Sequence, residues 1–422
     1  RRKRCALITA DFLSDALQRF GLAWSDVDVV AIATCQSWPY LFVDQARFRF
    51  DYDLAMVDSF PFKPDMRRFM AAALRQPLAE QRLRETVPRI HDGAYSEPGL
   101  LVPHHLAHAS YAFYQSDAER AAVYTIDNGD VSRRDTGYLG GIYAYGEGNR
   151  IITIGPNYSI HGHLYQRTAE QLGLGHGSGA GKLMGLAPYG RARFADLAMV
   201  GNAYEVFGPA YARGRKDTLY SVLAPMRERM KALGPRLYDD PRAAIEGADP
   251  DALGGKDLSR EGVDRAASAQ WVFEQNGLAA ARTLAAGLAE AGFAVPTLCL
   301  GGGGALNCPA NTLIHDHGPF REVLVPPACD DSGLPLGAAQ AVVHDVFGIA
   351  REPQGHAGAA SAYLGMTYTR ADLDRALATH GDDLVVEDNL DAAADAGRAV
   401  AGGAIVGWFE GRSEVGPRAL GH

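Results

Sequence analysis

Short apolar runs alternate with stretches of helical periodicity along most of this chain. The apolar runs end at glycine, proline or polar residues, which is typical of strands buried in a sheet. The predicted strands are Val27–Ala33, Leu100–Val102, Ala121–Ile126, Ile142–Tyr145, Ile151–Ile154, Pro296–Leu300, Arg321–Val325 and Ala404–Phe409. The predicted helices are Ser14–Phe20, Asp65–Arg84, the segment from His104, Val263–Ala291 as one or two helices, the segment after Gly304 and Leu334–Phe347. This alternation predicts an α/β fold whose sheet is covered on both faces.

Composition and charge narrow the class of protein. The 422 residues suffice for two or three domains, and a chain with 47% apolar and 22% charged residues is an ordinary globular one. A net charge of −9 gives no electrostatic footprint for nucleic acid or an anionic membrane. Five cysteines without a C-x-x-C pair favour reduced thiols in the cytoplasm, and no apolar stretch reaches the about 18 residues of a membrane span. From about Gly201 to Lys256 the sequence is rich in charge, proline and glycine, which predicts an irregular surface region.

The segment Pro103–Ala109 contains two histidines, His104 and His108, one helical turn apart. Side chains at positions i and i+4 share a face of a helix, so two imidazoles there form half of a transition-metal site. The alternative is a pair of solvated or core histidines without a metal. A metalloprotease helix needs glutamate directly after the first histidine, and this chain has His105 there, so that class is excluded.

Two carboxylates follow apolar runs. Asp127 ends the predicted strand Ala121–Ile126, and Asp331 comes shortly after the predicted strand Arg321–Val325. Open α/β sheets bind ligands at the carboxyl ends of their strands, which favours a metal- or phosphate-site role for both. Two histidines with two aspartates suit Fe(II), Mn(II) or Zn(II).

Four successive glycines, Gly301, Gly302, Gly303 and Gly304, lie between a predicted strand and a predicted helix, with Asn307 shortly after them. Glycine lets the backbone approach a ligand closely, and a helix N-terminus offers N–H groups to phosphate. The dinucleotide-binding spacing G-x-G-x-x-G is not met. A nucleotide-binding turn and a purely structural tight turn therefore both stay open.

Lys182 follows a second glycine-rich stretch that superficially suggests a phosphate-binding loop. His176 stands where that loop needs glycine, and Leu183 stands where it needs serine or threonine. Lys182 can still meet a phosphate as a point charge, or it is a surface lysine. The tripeptide Asp331–Gly333 suggests a serine protease, but its position between a strand and a helix of an α/β chain argues against that class.

Together these segments resemble the O-carbamoyltransferases of the TobZ/NodU family, which act in antibiotic biosynthesis and nodulation-factor synthesis. The matching pieces occur in the family's order and span almost the whole chain. They are His104–Ala109, the strand ending in Asp127, Gly181–Ala187, the Gly301–Asn307 loop, Pro327–Ala339 and Gly411–Gly421. The His-x-x-x-His pair and the Gly-Pro-Arg-Ala-Leu-Gly segment are specific, whereas the glycine loops alone are weak signals.

The resemblance implies a fold that spacing alone does not predict. Residues 1–395 would form a metal-dependent carbamoyl-transfer domain of duplicated α/β halves in the actin-like (ASKHA) superfamily, similar to the tRNA threonylcarbamoyl transferases. Residues 396–422 would begin a YrdC-like α/β domain. In the family that second domain forms carbamoyl adenylate from carbamoyl phosphate and ATP, for which Mg is expected. The metal domain then transfers the carbamoyl group to a hydroxyl of a small molecule.

The resemblance also assigns site residues. It implies that His104, His108, Asp127 and Asp331 hold a divalent metal, with Fe(II) the first choice. It implies that nucleotide lies on the loop formed by Gly301, Gly302, Gly303, Gly304 and Asn307. Lys182 and Arg418 are the predicted catalytic cations. Lys182 offers a point charge to a phosphate, and the planar fork of Arg418 suits the phosphate of carbamoyl phosphate or of the adenylate.

Two departures from the family pattern affect the prediction. The family's N-terminal strand with a His-Asp-x-Ser turn is absent, and its histidine is a candidate acceptor-side base. Nearly all of the YrdC-like domain is also absent, which indicates a fragment of a longer protein. The alternatives are a tRNA threonylcarbamoyl transferase-like enzyme, an actin-superfamily ATPase or sugar kinase, and a non-catalytic nucleotide-binding relative. We expect a cytoplasmic enzyme with no nucleic-acid or membrane partner, and a homodimer is a possible assembly.

Overall fold

The computed structural model describes only part of the chain. The described residues are 10–34, 84–86, 89–90, 93–94, 99–127, 130–131, 138–157, 161–175, 178–201, 255–351, 362–365, 367–381, 385–386 and 391–420. Their strands are β1 (Val30–Thr34), β2 (Arg84–Thr86), β3 (Arg89–Ile90), β4 (Gly93–Ala94), β5 (Gly99–Pro103), β6 (Arg120–Thr125), β7 (Asp130–Val131), β8 (Tyr138–Leu139), β9 (Gly141–Glu147), β10 (Arg150–Asn157), β11 (Thr297–Gly301) and β12 (Glu322–Leu324). Their α-helices are α1 (Ala10–Arg19), α2 (His104–Tyr114), α3 (His161–Gln171), α4 (Gly179–Leu186), α5 (Arg260–Ala291), α6 (Cys308–His317), α7 (Leu334–Gln340), α8 (Arg370–His380) and α9 (Ala392–Ala401).

The larger sheet has the strand order β10–β9–β6–β11–β12. Its strands β6, β11 and β12 are parallel, whereas β9 runs antiparallel to both β6 and β10. The antiparallel hairpin of β9 and β10 confirms the predicted pairing of Ile142–Tyr145 with Ile151–Ile154. Because β6 and β11 are parallel neighbours, Asp127 and the glycine run that ends β11 emerge at the same edge of the sheet.

A smaller sheet has the order β1–β5–β2, with β1 and β5 parallel and β2 antiparallel to β5. Two short antiparallel pairs, β3–β4 and β7–β8, complete the described ladders. Helix α2 follows β5 directly and contacts strands of both sheets. This connection sets the histidine helix between the two sheets.

Hydrophobic cores cover both faces of the larger sheet, as the sequence predicts. Along β6, Ala122 and Tyr124 join the core that contains residues of α3, α5 and α6. Ala121 and Val123 join the opposite core, which contains residues of α2 and α7. This alternation follows from the period of two along a strand. The protein is therefore a mixed α/β structure with helices on each side of its main sheet.

The helix that covers one face is a single unit. The predicted Val263–Ala291 segment, left open as one or two helices, forms the 32-residue helix α5. Ser259 caps its start by accepting a hydrogen bond from the Gly262 N–H, and Gly292 ends it in the left-handed conformation with φ of 85°. On the other face, the predicted Leu334–Phe347 helix is α-helical only to Gln340 and continues as a π-helix over Ala341–Val346.

Some predictions fail or lie outside the described residues. The strand predicted at Ala404–Phe409 is wrong, because in the described part of the chain no strand pairs with that segment and its apolar side chains are largely exposed. The predicted helix Asp65–Arg84 lies outside the described residues except for Arg84, which begins β2. Most of the predicted irregular region from Gly201 to Lys256 also lies outside them. Among described helices, none combines the length and apolarity needed to cross a membrane. The division at residue 395 falls within α9 and stays a prediction.

Candidate functional site

The two histidines and two aspartates predicted as metal ligands face one another in the structure. The Nε2 atoms of His104 and His108 are 3.2 Å apart. The Oδ2 atom of Asp127 lies 2.9 Å from the Nε2 of His104 and 3.1 Å from that of His108. The Oδ1 atom of Asp331 lies 3.6 and 3.3 Å from the same two nitrogens. All four ligand atoms therefore fall within 4.8 Å of one another, and we call these four residues the ligand quartet.

Glycines allow the histidine helix to approach its neighbours closely. A Cβ at Gly301 of β11 would lie 2.8 Å from the His108 carbonyl oxygen, and one at Gly337 of α7 would lie 1.9 Å from that of Ala107. Both distances are shorter than a methyl group tolerates, so only glycine permits this spacing. The close packing of α7 on α2 is what brings Asp331, just before α7, to the histidines.

The loop that carries Asp331 is fixed on two sides. The Gly302 N–H donates to the Cys329 carbonyl at 2.7 Å, which ties the loop to the glycine run. The Ala328 N–H donates to the Tyr111 hydroxyl at 3.4 Å, which ties it to α2. Tyr111 also lies against Gly333, where an added Cβ would come within 2.8 Å of the ring. These contacts hold Asp331 at the quartet although its own side chain is 71% exposed.

Opposite charges shape the protonation of the quartet. Burial works against a charged His108 ring, but its bonds to Asp127 and Asp331 outweigh burial and raise the pKa of His108 to about 9. Burial alone would raise the pKa of the Asp127 carboxyl, but hydrogen bonds from His104 and His108 hold that pKa well below its usual range. Positive charge at this point is therefore favoured, whether a proton or a metal ion supplies it.

A divalent cation fits this donor set. Imidazole nitrogen and carboxylate oxygen are common ligands of first-row transition metals. Four potential acceptor atoms, two imidazole nitrogens and two carboxylate oxygens, converge at this point, and each neutral imidazole offers at most one N–H. One central cation can therefore bind all four acceptor atoms, which protons on the rings cannot do. The two histidines are buried and Asp331 is exposed, so solvent reaches the quartet from the Asp331 side.

The glycine loop lies directly beside the quartet. Residues Gly303–Leu306 form a 3-10 turn after Gly302, which has φ of +86°. A Cβ at Gly302 would lie 2.2 Å from the Ile126 carbonyl oxygen, and one at Gly304 would lie 2.4 Å from the Ile126 side chain. These two glycines are therefore required by packing alone. A Cβ at Gly303 would instead lie 3.4 Å from Asp127 Oδ1, which makes Gly303 the glycine that faces the quartet.

The two predicted catalytic cations lie in different surroundings. Arg418 Nη2 donates to the Leu306 carbonyl at 3.1 Å, and its Nη1 would be 3.2 Å from a Cβ at Gly181 of α4. Arg418 thus bridges the end of the glycine loop and α4. Lys182 of α4 donates through Nζ to the Leu174 carbonyl at 3.0 Å. The structure brings Arg418 to the loop and engages the Lys182 amine with backbone beyond α3.

The C-terminal loop that carries Arg418 also contacts the Asp331 loop. Gly416 has φ of +100°, and a Cβ there would lie 2.4 Å from the Pro327 carbonyl oxygen. The Val415 N–H donates to the Ala362 carbonyl at 2.6 Å. Within this segment, Gly416 therefore packs on the Asp331 loop and Arg418 contacts the glycine loop, whereas the Leu420 side chain is exposed.

Sequence reasoning missed several supporting residues. Tyr111 lies seven positions after His104 and three after His108, so helical spacing places it on the histidine face and could have revealed it. Arg351 donates to the carbonyls of Phe113, Ser116 and Ala118 at 3.3, 3.4 and 2.7 Å and so caps the end of α2. No local pattern signals Arg351, because its partners are more than 230 residues away in sequence.

Comparison with known proteins decides the family. The family described as carbamoyltransferase N-terminus matches residues 60–340, which include the whole ligand quartet and the glycine loop. The chain belongs to the carbamoyltransferase family. The predicted resemblance is thereby confirmed. Arg418 lies beyond the matched residues.

Relatives of this carbamoyltransferase chain include bacterial proteins of different description. It is 33% identical to an uncharacterized protein of Synechocystis over 77% of the chain and 50% of that protein. It is 31% identical to the nodulation protein NolNO of Sinorhizobium fredii over 76% of the chain and 42% of NolNO. It is 34% identical to the 3'-hydroxymethylcephem-O-carbamoyltransferase of Amycolatopsis lactamdurans over 29% of the chain and 21% of that enzyme. The chain thus spans about half the length, or less, of these curated relatives.

Proposed function

We propose that this chain performs the transfer step of an O-carbamoyltransferase. In this proposal carbamoyl adenylate, formed from carbamoyl phosphate and ATP, binds at the glycine loop, and its carbamoyl group passes to a hydroxyl of a small molecule. One observation supports it above the others. The ligand quartet lies beside Gly303, and Arg418 lies at the other end of the same short turn. A candidate metal-ligand set and the Arg418 guanidinium thus flank one glycine-rich turn, and in this proposal Arg418 binds the phosphate.

The residues suit the parts of an acyl adenylate. Toward the described residues, Arg418 donates one of its five N–H groups to the Leu306 carbonyl, and in this proposal the other N–H groups fork onto phosphate oxygens. Gly303 has no side chain that would separate a ligand from Asp127. When bound by the quartet, a divalent cation supplies Lewis acidity that polarises the carbamoyl carbonyl or holds the adenylate phosphate. Fe(II) is the cation we propose, on the donor set of two imidazoles and two carboxylates.

The proposed transfer exchanges one bond at the carbamoyl carbon for another. The acceptor hydroxyl oxygen forms a bond to the carbamoyl carbon, and the bond between that carbon and the AMP phosphate oxygen breaks. AMP leaves, and the hydroxyl proton passes to solvent or to a base. The positive charge of Arg418 stabilises the leaving phosphate and so lowers the activation free energy of transfer. This contribution is the same for every acceptor.

The proposed fold assignment is an actin-like transferase domain followed by the start of a YrdC-like domain. Two α/β sheets that share contacts with helix α2 support a duplicated architecture. The net charge of −9 favours a small acceptor over tRNA. The printed names of the nodulation and cephem relatives are also in keeping with a small-molecule acceptor.

The test supplies carbamoyl adenylate directly, so that only transfer is measured. Iron-loaded chain and chelator-treated chain are incubated with the adenylate, with and without a panel of hydroxylated acceptors, and AMP release is followed. We expect metal-dependent AMP release, with water as a slow acceptor and a faster rate with a suitable alcohol. Absence of AMP release and of AMP binding by iron-loaded, folded chain would contradict the proposal.

A variant pair locates the adenylate. Gly303→Val places a side chain beside Asp127 and should weaken AMP binding, measured by calorimetry, while iron content stays stoichiometric. Gly185→Ala in α4 is the matched control, because a Cβ there meets no described residue within 4 Å. Unchanged AMP affinity in folded Gly303→Val protein would argue against binding at this loop. Strong pyrophosphate release from ATP and carbamoyl phosphate by this chain alone would contradict the proposed split between two domains.

A further inference from the structure

Asn307 forms a reciprocal amide pair with Gln270 of α5. Asn307 Nδ2 donates to Gln270 Oε1 at 3.1 Å, and Gln270 Nε2 donates to Asn307 Oδ1 at 2.9 Å. Tyr165 of α3 donates its hydroxyl to the same Gln270 oxygen at 2.6 Å. All three side chains are buried. A buried polar network of this kind holds its members in one geometry when every group has a partner.

Nearly all the hydrogen-bonding capacity of this pair is used within the protein. Gln270 accepts two bonds at Oε1 and donates its second N–H to Glu274 at 2.8 Å, so its amide is fully engaged. Asn307 Oδ1 also accepts from the Ala310 N–H at 3.1 Å, which caps α6. The Asn307 side chain also has a hydrogen bond with Tyr165. This occupancy indicates that Asn307 acts chiefly on its own loop.

The pair is connected to the part of the loop that faces the ligand quartet. The Asn307 N–H donates to the Gly304 carbonyl at 3.0 Å and closes the 3-10 turn. Leu306, directly before Asn307, accepts the hydrogen bond from Arg418. Gly303, at the start of the turn, lies beside Asp127. A rotation of Asn307 would therefore displace both the Arg418 contact and the glycine that borders the quartet.

We propose that Gln270 and Tyr165 are positioning residues that act through Asn307 to fix the Gly303–Leu306 turn for adenylate binding. This inference rests on the proposed function, and it changes the predicted role of Asn307 from a nucleotide contact to the anchor of the turn. Glu274 fixes the orientation of the Gln270 amide, because its carboxylate oxygen accepts a hydrogen bond from Gln270 Nε2. The amide cannot flip without placing its oxygen against that carboxylate.

Asn307→Asp separates the pairing role from the capping role. The aspartate oxygen still caps α6, because aspartate is as good an N-cap as asparagine. It has no N–H for Gln270 Oε1, and the new carboxylate faces that oxygen. In iron-loaded Asn307→Asp protein we expect the AMP affinity to fall about tenfold, with the iron content unchanged. Tyr165→Phe should lose part of the AMP affinity as well. The two changes should be non-additive in the double variant, since Asn307 and Tyr165 donate to the same Gln270 oxygen.

The control is Asp391→Asn, the reverse exchange at the exposed cap of α9, where the side chain accepts from the Ala394 N–H. It should change neither AMP nor iron binding. Hydrogen exchange of peptides covering residues 302–308 gives a readout that needs no ligand. Faster exchange of these peptides in Asn307→Asp, but not in Asp391→Asn, supports the positioning role. This holds even if the wild-type chain fails to bind AMP, because that failure counts only against the proposed function. Wild-type exchange and wild-type AMP affinity in folded Asn307→Asp would overturn the proposal.

Discussion

Gly337→Ala is the change that most directly tests how the fold assembles the ligand quartet. The new methyl group would lie 1.9 Å from the Ala107 carbonyl oxygen, whereas real Cβ atoms essentially never come within 3.0 Å of a neighbour. Helices α2 and α7 must therefore move apart by roughly 1 Å, since a packed interior cannot absorb the overlap. Asp331 precedes α7 by three residues and should move with it.

The size of that displacement exceeds what a metal site accepts. Ligand distances are typically held to about ±0.2 Å, so a shift of roughly 1 Å removes Asp331 from the coordination sphere. We expect iron affinity to fall about tenfold to a hundredfold, which is the typical loss when residues that orient a metal ligand are replaced. Overpacking should also cost about 1–3 kcal/mol of folding free energy.

The assay is iron affinity by chelator competition, at a temperature well below the melting transition of each variant. Asp331→Ala gives the reference for complete loss of that ligand. Gly397→Ala in α9 gives the control for a glycine-to-alanine change, because a Cβ there has no neighbour within 4 Å in the described part of the chain. Wild-type iron affinity in folded Gly337→Ala protein would refute the reasoning that α7 packing positions Asp331.

Three further outcomes follow from the described contacts. The double variant His104→Ala and His108→Ala should lose stoichiometric metal by elemental analysis, and unchanged occupancy would show that the site is elsewhere. Because the pKa of His108 is raised to about 9, a metal ion must displace a proton below that pH; affinity should rise about tenfold per pH unit between pH 6 and 8 and level off above about 9. A flat profile in chelator competition would contradict this proton displacement. Arg351→Ala should remove three hydrogen bonds, one to the Phe113 carbonyl of α2 and two to the Ser116 and Ala118 carbonyls just after it, and so lower stability by about 1–3 kcal/mol in denaturant unfolding. Arg351→Lys should recover part of that loss.

Local spacing predicted the parts of the site that depend on local geometry. His104 and His108 share a helix face by their separation alone, and Asp127 follows a strand whose apolar run is unmistakable. Asp331 was predicted from its place after another strand and from the family resemblance. The structure brings Asp127 and Asp331 to one edge because β6, β11 and β12 are parallel neighbours, and the packing of α7 on α2 brings that edge to the two histidines.

Contacts between distant elements could not be predicted in the same way. Gly337 reads as an ordinary helix glycine until Ala107 is seen against it. Asn307 was predicted as a ligand contact because its loop was visible in sequence, while its partner Gln270 is 37 residues upstream. The Ala404–Phe409 run has the composition of a strand, but a strand also needs a neighbour, and sequence composition does not report one.

The order of the metal ligands along the chain has a consequence for biogenesis. Three ligands lie within the span from His104 to Asp127, whereas Asp331 arrives roughly two hundred residues later, with the helix that packs on α2. A newly made chain can thus bring His104, His108 and Asp127 together early, but the quartet is complete only after α7 has packed on α2. A cation that selects the complete set stabilises the finished fold by about 2.7 kcal/mol at a hundredfold excess over its dissociation constant. Supply of the bound cation would then govern the lifetime of the protein, in addition to its chemistry.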